Sequence, residues 1–193
     1  IQGGLLTIGN QLTTGAQSLA RGIISSLNET VQASKSLTSV LSFAGVDTST
    51  IETLKTDMGE YAKSTSYGAS EMNKIVSSLS ASNVQASQAG TLAKNIGNAY
   101  ALLGDGTRKL DDIGLIFAQI NSATKLQAQD YHQLLNAGIG SAIKQDIEKN
   151  YPDIIAAYGD FSNAMQHSAI SAEMVNQAVS RIGSTCLLYT SPS

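Results

Sequence analysis

Apolar residues recur at alternating steps of three and four near the start of the chain, which is the spacing of one face of an α-helix. The face consists of Leu5, Ile8, Leu12, Ala16, Leu19, Ile23 and Leu27 and continues through Val31, Leu37, Val40 and Leu41. Three glycines lie within the first part of this face, and each costs about 1 kcal/mol relative to alanine in a helix interior. We therefore predict a long amphipathic helix that ends near Gly45 and needs a partner surface.

Shorter helices are predicted along the rest of the chain. One starts at Ser49, because a serine followed three residues later by an acid forms a capping box. Its expected buried face is Ile51, Leu54, Met58 and Tyr61. Thr107 can cap a later helix whose stripe is Leu110, Ile113, Phe117 and Ile120. Pro152 is expected to end or restart a helix after Tyr151.

Three helix starts share one plan, in which a hydrophobe is followed by alanine, an acid and a second hydrophobe. They are residues 67–72 (YGASEM), 126–131 (LQAQDY) and 170–175 (ISAEMV). The plan is that of a hydrophobic staple, with the acid facing the positive end of the helix dipole. Ser171 is a favourable cap, Gly68 a tolerable one and Gln127 a poor one.

Strand signals are nearly absent, because no run alternates cleanly with β-branched residues. The predicted fold class is all-α, a compact bundle of short helices preceded by a longer amphipathic helix. We expect residues 1–46 to form a glycine-containing lead-in helix, residues 47–183 a helical domain and residues 184–193 a non-native tail.

Composition narrows the possible functions. Charged residues make up 14% of the 193 residues, against roughly 25% in ordinary globular domains. A net charge of −3 without any block of like charges argues against direct nucleic-acid binding and against an anionic membrane surface as partner. No window of uninterrupted apolar residues is long enough for a stable transmembrane segment.

The two ends of the chain suggest a piece of a longer protein. The chain begins with Ile1 and lacks the basic region of a signal peptide. The composition of residues 186–193 differs from the Ala-, Ser- and Gln-rich sequence before them. These residues resemble the translation of a sequencing adapter, so we expect that Cys186 and Pro192 are not natural residues of the protein. A single cysteine excludes a disulfide within the chain and a multi-cysteine metal site.

Few residues suggest chemistry. The spacing of Asp105, Asp111 and Asp112 lacks the ligand pattern of an EF-hand, so we interpret them as a turn followed by a helix-start acid pair. Residues 138–140 (GIG) are half of a dinucleotide fingerprint but follow a helix, so they are interpreted as a helix stop. His132 and His167 lack a partner at metal-ligand spacing.

Tyr61 and Tyr67 flank a predicted turn and are interpreted as packing residues. No Gly-x-Ser-x-Gly elbow occurs. We therefore predict no catalytic, cofactor-binding or metal-binding residue, no cofactor, and no enzymatic activity.

Several segments in order resemble the N-terminal domain of tailed-phage tape measure proteins. They are residues 54–62 (LKTDMGEYA), 64–72 (STSYGASEM), 92–99 (LAKNIGNA), 117–120 (FAQI), 125–139 (KLQAQDYHQLLNAGI) and 170–183. The resemblance covers roughly residues 47–183, and its specificity comes from the order and spacing of the segments. The family usually has glycine where Ser122-Ala123-Thr124 stands, and also where His167 stands, so these turns are expected to be shaped differently.

The resemblance implies a structural role. Tape measure proteins set the length of the tail tube during assembly and are released during genome ejection. The implied partners are tail tube and tail-tip proteins and tail assembly chaperones, with possible self-association. The implied location is the lumen of the virion tail tube, and the host cytoplasm during assembly. The alternative function is a membrane-active or secreted helical effector, suggested by the stripe from Leu5 to Leu27.

Overall fold

The computed structural model describes residues 29–187, the last two of them by backbone only. The predicted stripe from Leu5 to Leu27 and residues 188–193 lie outside this range. The described helices are α1 (residues 29–43), α2 (Thr48–Lys63), α3 (Ala69–Ala81), α4 (Ala86–Leu103), α5 (Leu110–Ala123), α6 (Ala128–Asn136), α7 (Gly140–Asn150), α8 (Pro152–Tyr158), α9 (Phe161–Gln166) and α10 (Ala172–Leu187).

The helices enclose one apolar core, and the predicted all-α class is confirmed. Helix α4 packs against α2, α3, α5 and α10, while α3 packs against α2, α4 and α5. Helix α10 also contacts α7, which α6 and α8 flank. The largest fully buried side chains include Phe117, Phe161, Leu37, Leu41 and Met58. The described part of α1 therefore contributes to the same core as the later helices.

Two of the patterned helix starts are joined to each other. Backbone bonds run from Leu126 N–H to the Ile170 carbonyl (2.9 Å) and from Ala172 N–H to the Thr124 carbonyl (3.1 Å). They form the isolated antiparallel bridge between Lys125 and Ser171. The predicted starts at Gly68, Gln127 and Ser171 are all confirmed, and the Ser171 hydroxyl accepts from the third backbone N–H of α10 at 3.2 Å.

Two turns near the places where the resemblance predicts glycine contain a residue with a Cβ in the left-handed region. Thr124 has φ +60° and Ser168, next to His167, has φ +61°. Both lie in the left-handed region, which costs free energy for a residue with a Cβ. His167 itself has φ −84°, so the left-handed residue of that turn is Ser168 and not the position where the resemblance predicts glycine.

Two predicted caps are wrong. Helix α2 begins after Asp47 rather than Ser49, because the Asp47 carboxylate accepts from the N–H of Thr50 at 2.9 Å. Ser49 donates its own hydroxyl to the same carboxylate at 2.6 Å. Helix α5 begins after Lys109 rather than after Thr107. The Thr107 hydroxyl instead donates a hydrogen bond to the Asp105 carboxylate.

The Asp47 cap predicts a pH-dependent stability. Hydrogen bonds from the Ser49 hydroxyl, and then from Thr50, hold the pKa of Asp47 far below its ordinary 3.8. A carboxyl whose pKa is lower in the folded state stabilises it above the unfolded value, and this contribution is lost as the pH falls. We expect Asp47→Ala to lower the melting temperature at neutral pH, and the difference to shrink below about pH 4.

Thermal unfolding of wild type and Asp47→Ala, followed by circular dichroism at neutral pH and below about pH 4, measures the difference in melting temperature. Asp57→Ala, an exposed change on the same helix, controls for the loss of charge. A difference between wild type and Asp47→Ala that stays constant down to about pH 3 would contradict the cap.

Candidate functional site

Two of the three acids that could suggest a calcium loop have other partners. The Asp105 carboxylate accepts from the backbone N–H and the hydroxyl of Thr107, at 3.0 and 2.8 Å, and these bonds lower its pKa. Asp111 lies 3.3 Å from Nζ of Lys74 on α3, and Asp112 is exposed. Within residues 29–185 no three His, Cys, Asp or Glu side chains are grouped so that they could hold a metal ion.

The two histidines lie on separate elements. His132 is exposed on α6. His167 follows α9, where its ring lies 5.4 Å from the ring of Tyr158 and its Nδ1 lies 2.9 Å from the Asn163 carbonyl. Within residues 29–185, neither histidine belongs to a group of three side chains that could hold a metal ion.

The Gly138 turn is confirmed as a helix stop between α6 and α7. Gly138 has φ +87°, a conformation that glycine adopts without steric cost. The turn packs on the end of α4, where the N–H of Asp105 donates to the Ala137 carbonyl at 3.3 Å. This contact joins two loops that are far apart in sequence.

Two tyrosines, one in the last turn of α2 and one between α2 and α3, form hydrogen bonds to α4. The Tyr61 hydroxyl lies 2.7 Å from Oδ1 of Asn98 and 3.2 Å from the carbonyl oxygen of Lys94. The Tyr67 hydroxyl donates to the Gly97 carbonyl at 3.2 Å, and burial raises the pKa of Tyr67 to about 12. We call Tyr61 and Tyr67 the tyrosine clasp. Their hydrogen bonds to α4 carry no signal in the sequence.

We expect Tyr61→Phe to destabilise the domain by about 0.5–1.5 kcal/mol, because the Asn98 amide oxygen loses its partner in a half-buried site. Tyr158→Phe, on an exposed ring, should change the free energy of unfolding by less than about 0.5 kcal/mol. Urea unfolding at equal protein concentration measures both. Equal effects of the two substitutions would contradict a role for the clasp in holding α4.

A second polar cluster connects α10 to α7 and α8. Arg181 donates from Nε and Nη2 to the Asp146 carboxylate, at 3.0 and 2.6 Å. These bonds raise the pKa of Arg181. Its guanidinium lies 5.8 Å from the centre of the Tyr151 ring, and the Tyr151 hydroxyl donates to Gln177. The cluster joins α10 to α7 and to Tyr151, the residue between α7 and α8.

Exposed apolar side chains and one cleft are the candidate contact surfaces. The large exposed apolar residues are Val31, Phe43, Leu102, Leu103, Leu115 and Tyr158. A cleft of about 290 Å³ lies between α4 and α10 and is lined mainly by polar side chains, among them Ser87, Gln88, Thr91, Asn176 and Gln177. Such surfaces can bind other proteins without supplying any chemistry.

No helix within residues 29–187 combines the length and the apolar character needed to cross a bilayer.

Comparison with known proteins relates the chain to one family. A family model described as tape measure protein matches residues 25–185. Two curated relatives, each described as a probable tape measure protein, come from Lactococcus phages p2 and SK1, and each is 24% identical over 178 residues. The aligned part is 91% of this chain but 18% of each relative. No solved structure matches the chain.

Proposed function

Because the chain belongs to the tape measure protein family of phage tail structural proteins, we propose that it is one folded domain of a longer protein that sets tail tube length during assembly. The family match over residues 25–185 carries this proposal, because it coincides with the helical body of residues 29–187. The chain spans 18% of each curated relative. We therefore assign the setting of tail length to other parts of the longer protein.

Helix geometry supports this division of roles. Drawn out as one α-helix, residues 29–187 would extend roughly 240 Å, at 1.5 Å per residue. The longest helix within residues 29–187, α4, has 18 residues and extends about 27 Å. A domain folded in this way contributes little length per residue. We assign it to an end region of the ruler.

Partners and release follow from the same proposal. The exposed apolar residues Phe43, Leu102 and Leu115 offer contacts to tube or tail-tip proteins in the tube lumen, and to chaperones in the host cytoplasm. Charged residues make up 14% of the chain, so few ionic contacts would hold it in place when the genome is ejected.

Mass spectrometry of purified tails tests presence and release together. We expect peptides from residues 47–183 in intact virions and in the supernatant after ejection is triggered in vitro. The major tube protein serves as the retained control. Peptides that are absent from intact tails would contradict the structural role, and peptides that stay in emptied tails would contradict release.

A further inference from the structure

The cleft between α4 and α10 has an apolar floor and polar walls. Val84 and Leu92 line it although both side chains are buried, so they form its floor. Hydroxyl, amide and carboxylate side chains form the walls, namely Ser87, Gln88 and Thr91 from α4 and Glu173, Asn176, Gln177 and Ser180 from α10. Its volume is about 290 Å³, at the lower limit of ligand pockets, which are roughly 300–1,000 Å³. The cleft therefore suits one long side chain rather than a whole cofactor.

Glu173 gives the cleft a negative charge. None of the other described residues that line the cleft is charged. Glu173 is exposed, and no ion pair within the described part of the chain uses it. Arg181 lies on the same helix, but its guanidinium is bound by the Asp146 carboxylate on α7 at 2.6 Å. The cleft is therefore complementary to a cation that comes from outside the described residues.

A chain of hydrogen bonds holds the Glu173 carboxylate in place. The Tyr151 hydroxyl donates to Oε1 of Gln177, and Nε2 of Gln177 donates to Oε1 of Glu173 at 2.8 Å. Because the first bond uses the oxygen of the Gln177 amide, the nitrogen of that amide faces Glu173. A carboxylate that is positioned before binding loses less conformational entropy when a partner arrives.

Asn176 makes the same wall rigid through contacts with α5. The Nδ2 groups of Asn121 and Asn176 each donate to Oδ1 of the other residue, at 3.1 and 2.8 Å. These bonds use both ends of the Asn176 amide, so this residue shapes the wall. The remaining polar groups of the walls include the Glu173 carboxylate and the exposed hydroxyls of Ser87 and Thr91.

We propose that this cleft binds a lysine side chain of a partner protein, with the lysine ammonium group paired to Glu173. The apolar floor accommodates the aliphatic stem of lysine, while the charged end stays among polar groups. The hydroxyl oxygens of Ser87 and Thr91 can accept further hydrogen bonds from the ammonium group. The inference concerns one surface of the domain and does not rest on the proposed function.

The geometry favours lysine over arginine. A guanidinium binds a carboxylate best through two parallel hydrogen bonds, one to each oxygen. Oε1 of Glu173 already accepts from Gln177, so a guanidinium would have to share this oxygen. An ammonium group is a compact charge that needs only one carboxylate oxygen.

NMR titration of the isotope-labelled whole chain tests the site. The probes are lysine, norleucine and arginine, each as the Nα-acetyl methylamide, and norleucine has the stem of lysine without the amine. We expect lysine to produce saturable shifts at the Gln177 side-chain amide and at the backbone amides of Ser87 and Thr91. Norleucine should bind at least about five-fold more weakly, because it cannot form the charge-assisted hydrogen bond. Equal binding of lysine and norleucine, or no saturable shift, would overturn the proposal. Tighter binding of arginine would overturn the assignment of lysine.

A charge-removing substitution tests Glu173 itself. Glu173→Gln keeps the length of the side chain and should weaken lysine binding by at least about five-fold, to the level of norleucine. Glu60→Gln makes the same change at an exposed residue of α2, outside the cleft, and should leave lysine binding unchanged. Melting temperatures show that both variants are folded. Equal lysine affinities of the two variants would overturn the role of Glu173.

Tyr151 is a positioning residue in this proposal, because it acts on Glu173 through Gln177. Tyr151→Phe removes the hydroxyl that orients the Gln177 amide, so the ratio of lysine affinity to norleucine affinity should fall about two- to three-fold. Tyr158→Phe, the matched change on an exposed ring, should leave this ratio unchanged. A purely structural effect would weaken both probes equally. An unchanged ratio in Tyr151→Phe would therefore overturn the positioning role.

Discussion

Gly183→Ala is expected to destabilise the domain by about 1–3 kcal/mol, because a methyl group on this residue has no room. A Cβ at Gly183 would lie 2.5 Å from the carbonyl oxygen of Asn95 and 2.9 Å from its Cα. The obstacle is the backbone of α4, which cannot rotate away as a side chain can. The substitution would therefore force apart α10 and α4, which pack together more extensively than any other pair among α2–α10.

Gly59→Ala provides the matched control. Gly59 also lies inside a helix, α2, but a Cβ there would meet nothing within 4 Å. The same substitution should then stabilise the domain by up to about 1 kcal/mol, through helix propensity and the reduced entropy of the unfolded chain. Chemical unfolding of both variants gives the two free energies. A Gly183→Ala domain as stable as Gly59→Ala would show that α10 does not approach α4 this closely.

Phe117→Ala is expected to cost about 3–5 kcal/mol, the range for removing a fully buried aromatic side chain. Phe117 is among the largest side chains with no exposure and lies on α5, which packs on α3, α4 and α10. The cost combines lost burial with the cavity left between those helices. A small domain has roughly 5–15 kcal/mol of stability in total, so the variant should unfold near physiological temperature.

Leu115→Ala tests the same helix on its outer side. Leu115 lies two residues away from Phe117 and is 49% exposed, so its removal should cost less than about 1 kcal/mol. Melting temperatures and urea midpoints of the two variants measure the difference. Similar losses from both substitutions would contradict the orientation of α5.

The helices and their breaks were predictable from local chemistry. The periodic stripe of α5, the stop at Gly138 and the restart at Pro152 follow from spacing and from the backbone limits of glycine and proline. The start of α2 was misplaced because Asp47, Ser49 and Thr50 can all cap a helix. Their hydrogen bonds to one another decide which residue does so.

The contacts between helices were not predictable. The Arg181–Asp146 pair joins residues 35 positions apart, and Tyr61 and Asn98 are 37 apart. No sequence spacing indicates that such side chains meet, because the crossing of the helices decides it. The unpaired buried atoms of Ser70, Asn73 and Ser80 were equally unpredictable, since a serine or asparagine in a helix does not indicate whether its side chain has a hydrogen-bond partner.

The fold and the family together relate this domain to tail assembly. Members of the family are structural proteins of phage tails, and this chain belongs to the family through residues 25–185. Its close α4–α10 contact and the tyrosine clasp hold it in one shape. Under the proposed function, the length of the tail is encoded by extended helix outside this domain.

Tail length measured by electron microscopy tests this account most directly. An in-frame deletion of about 100 helical residues of the parent protein outside residues 29–187 should shorten tails by about 150 Å, at 1.5 Å per residue. Disrupting this domain with Phe117→Ala should lower the number of tails without shifting the length of those that form. Tails of unchanged length after the deletion, or tails graded in length by changes within this domain, would contradict the account.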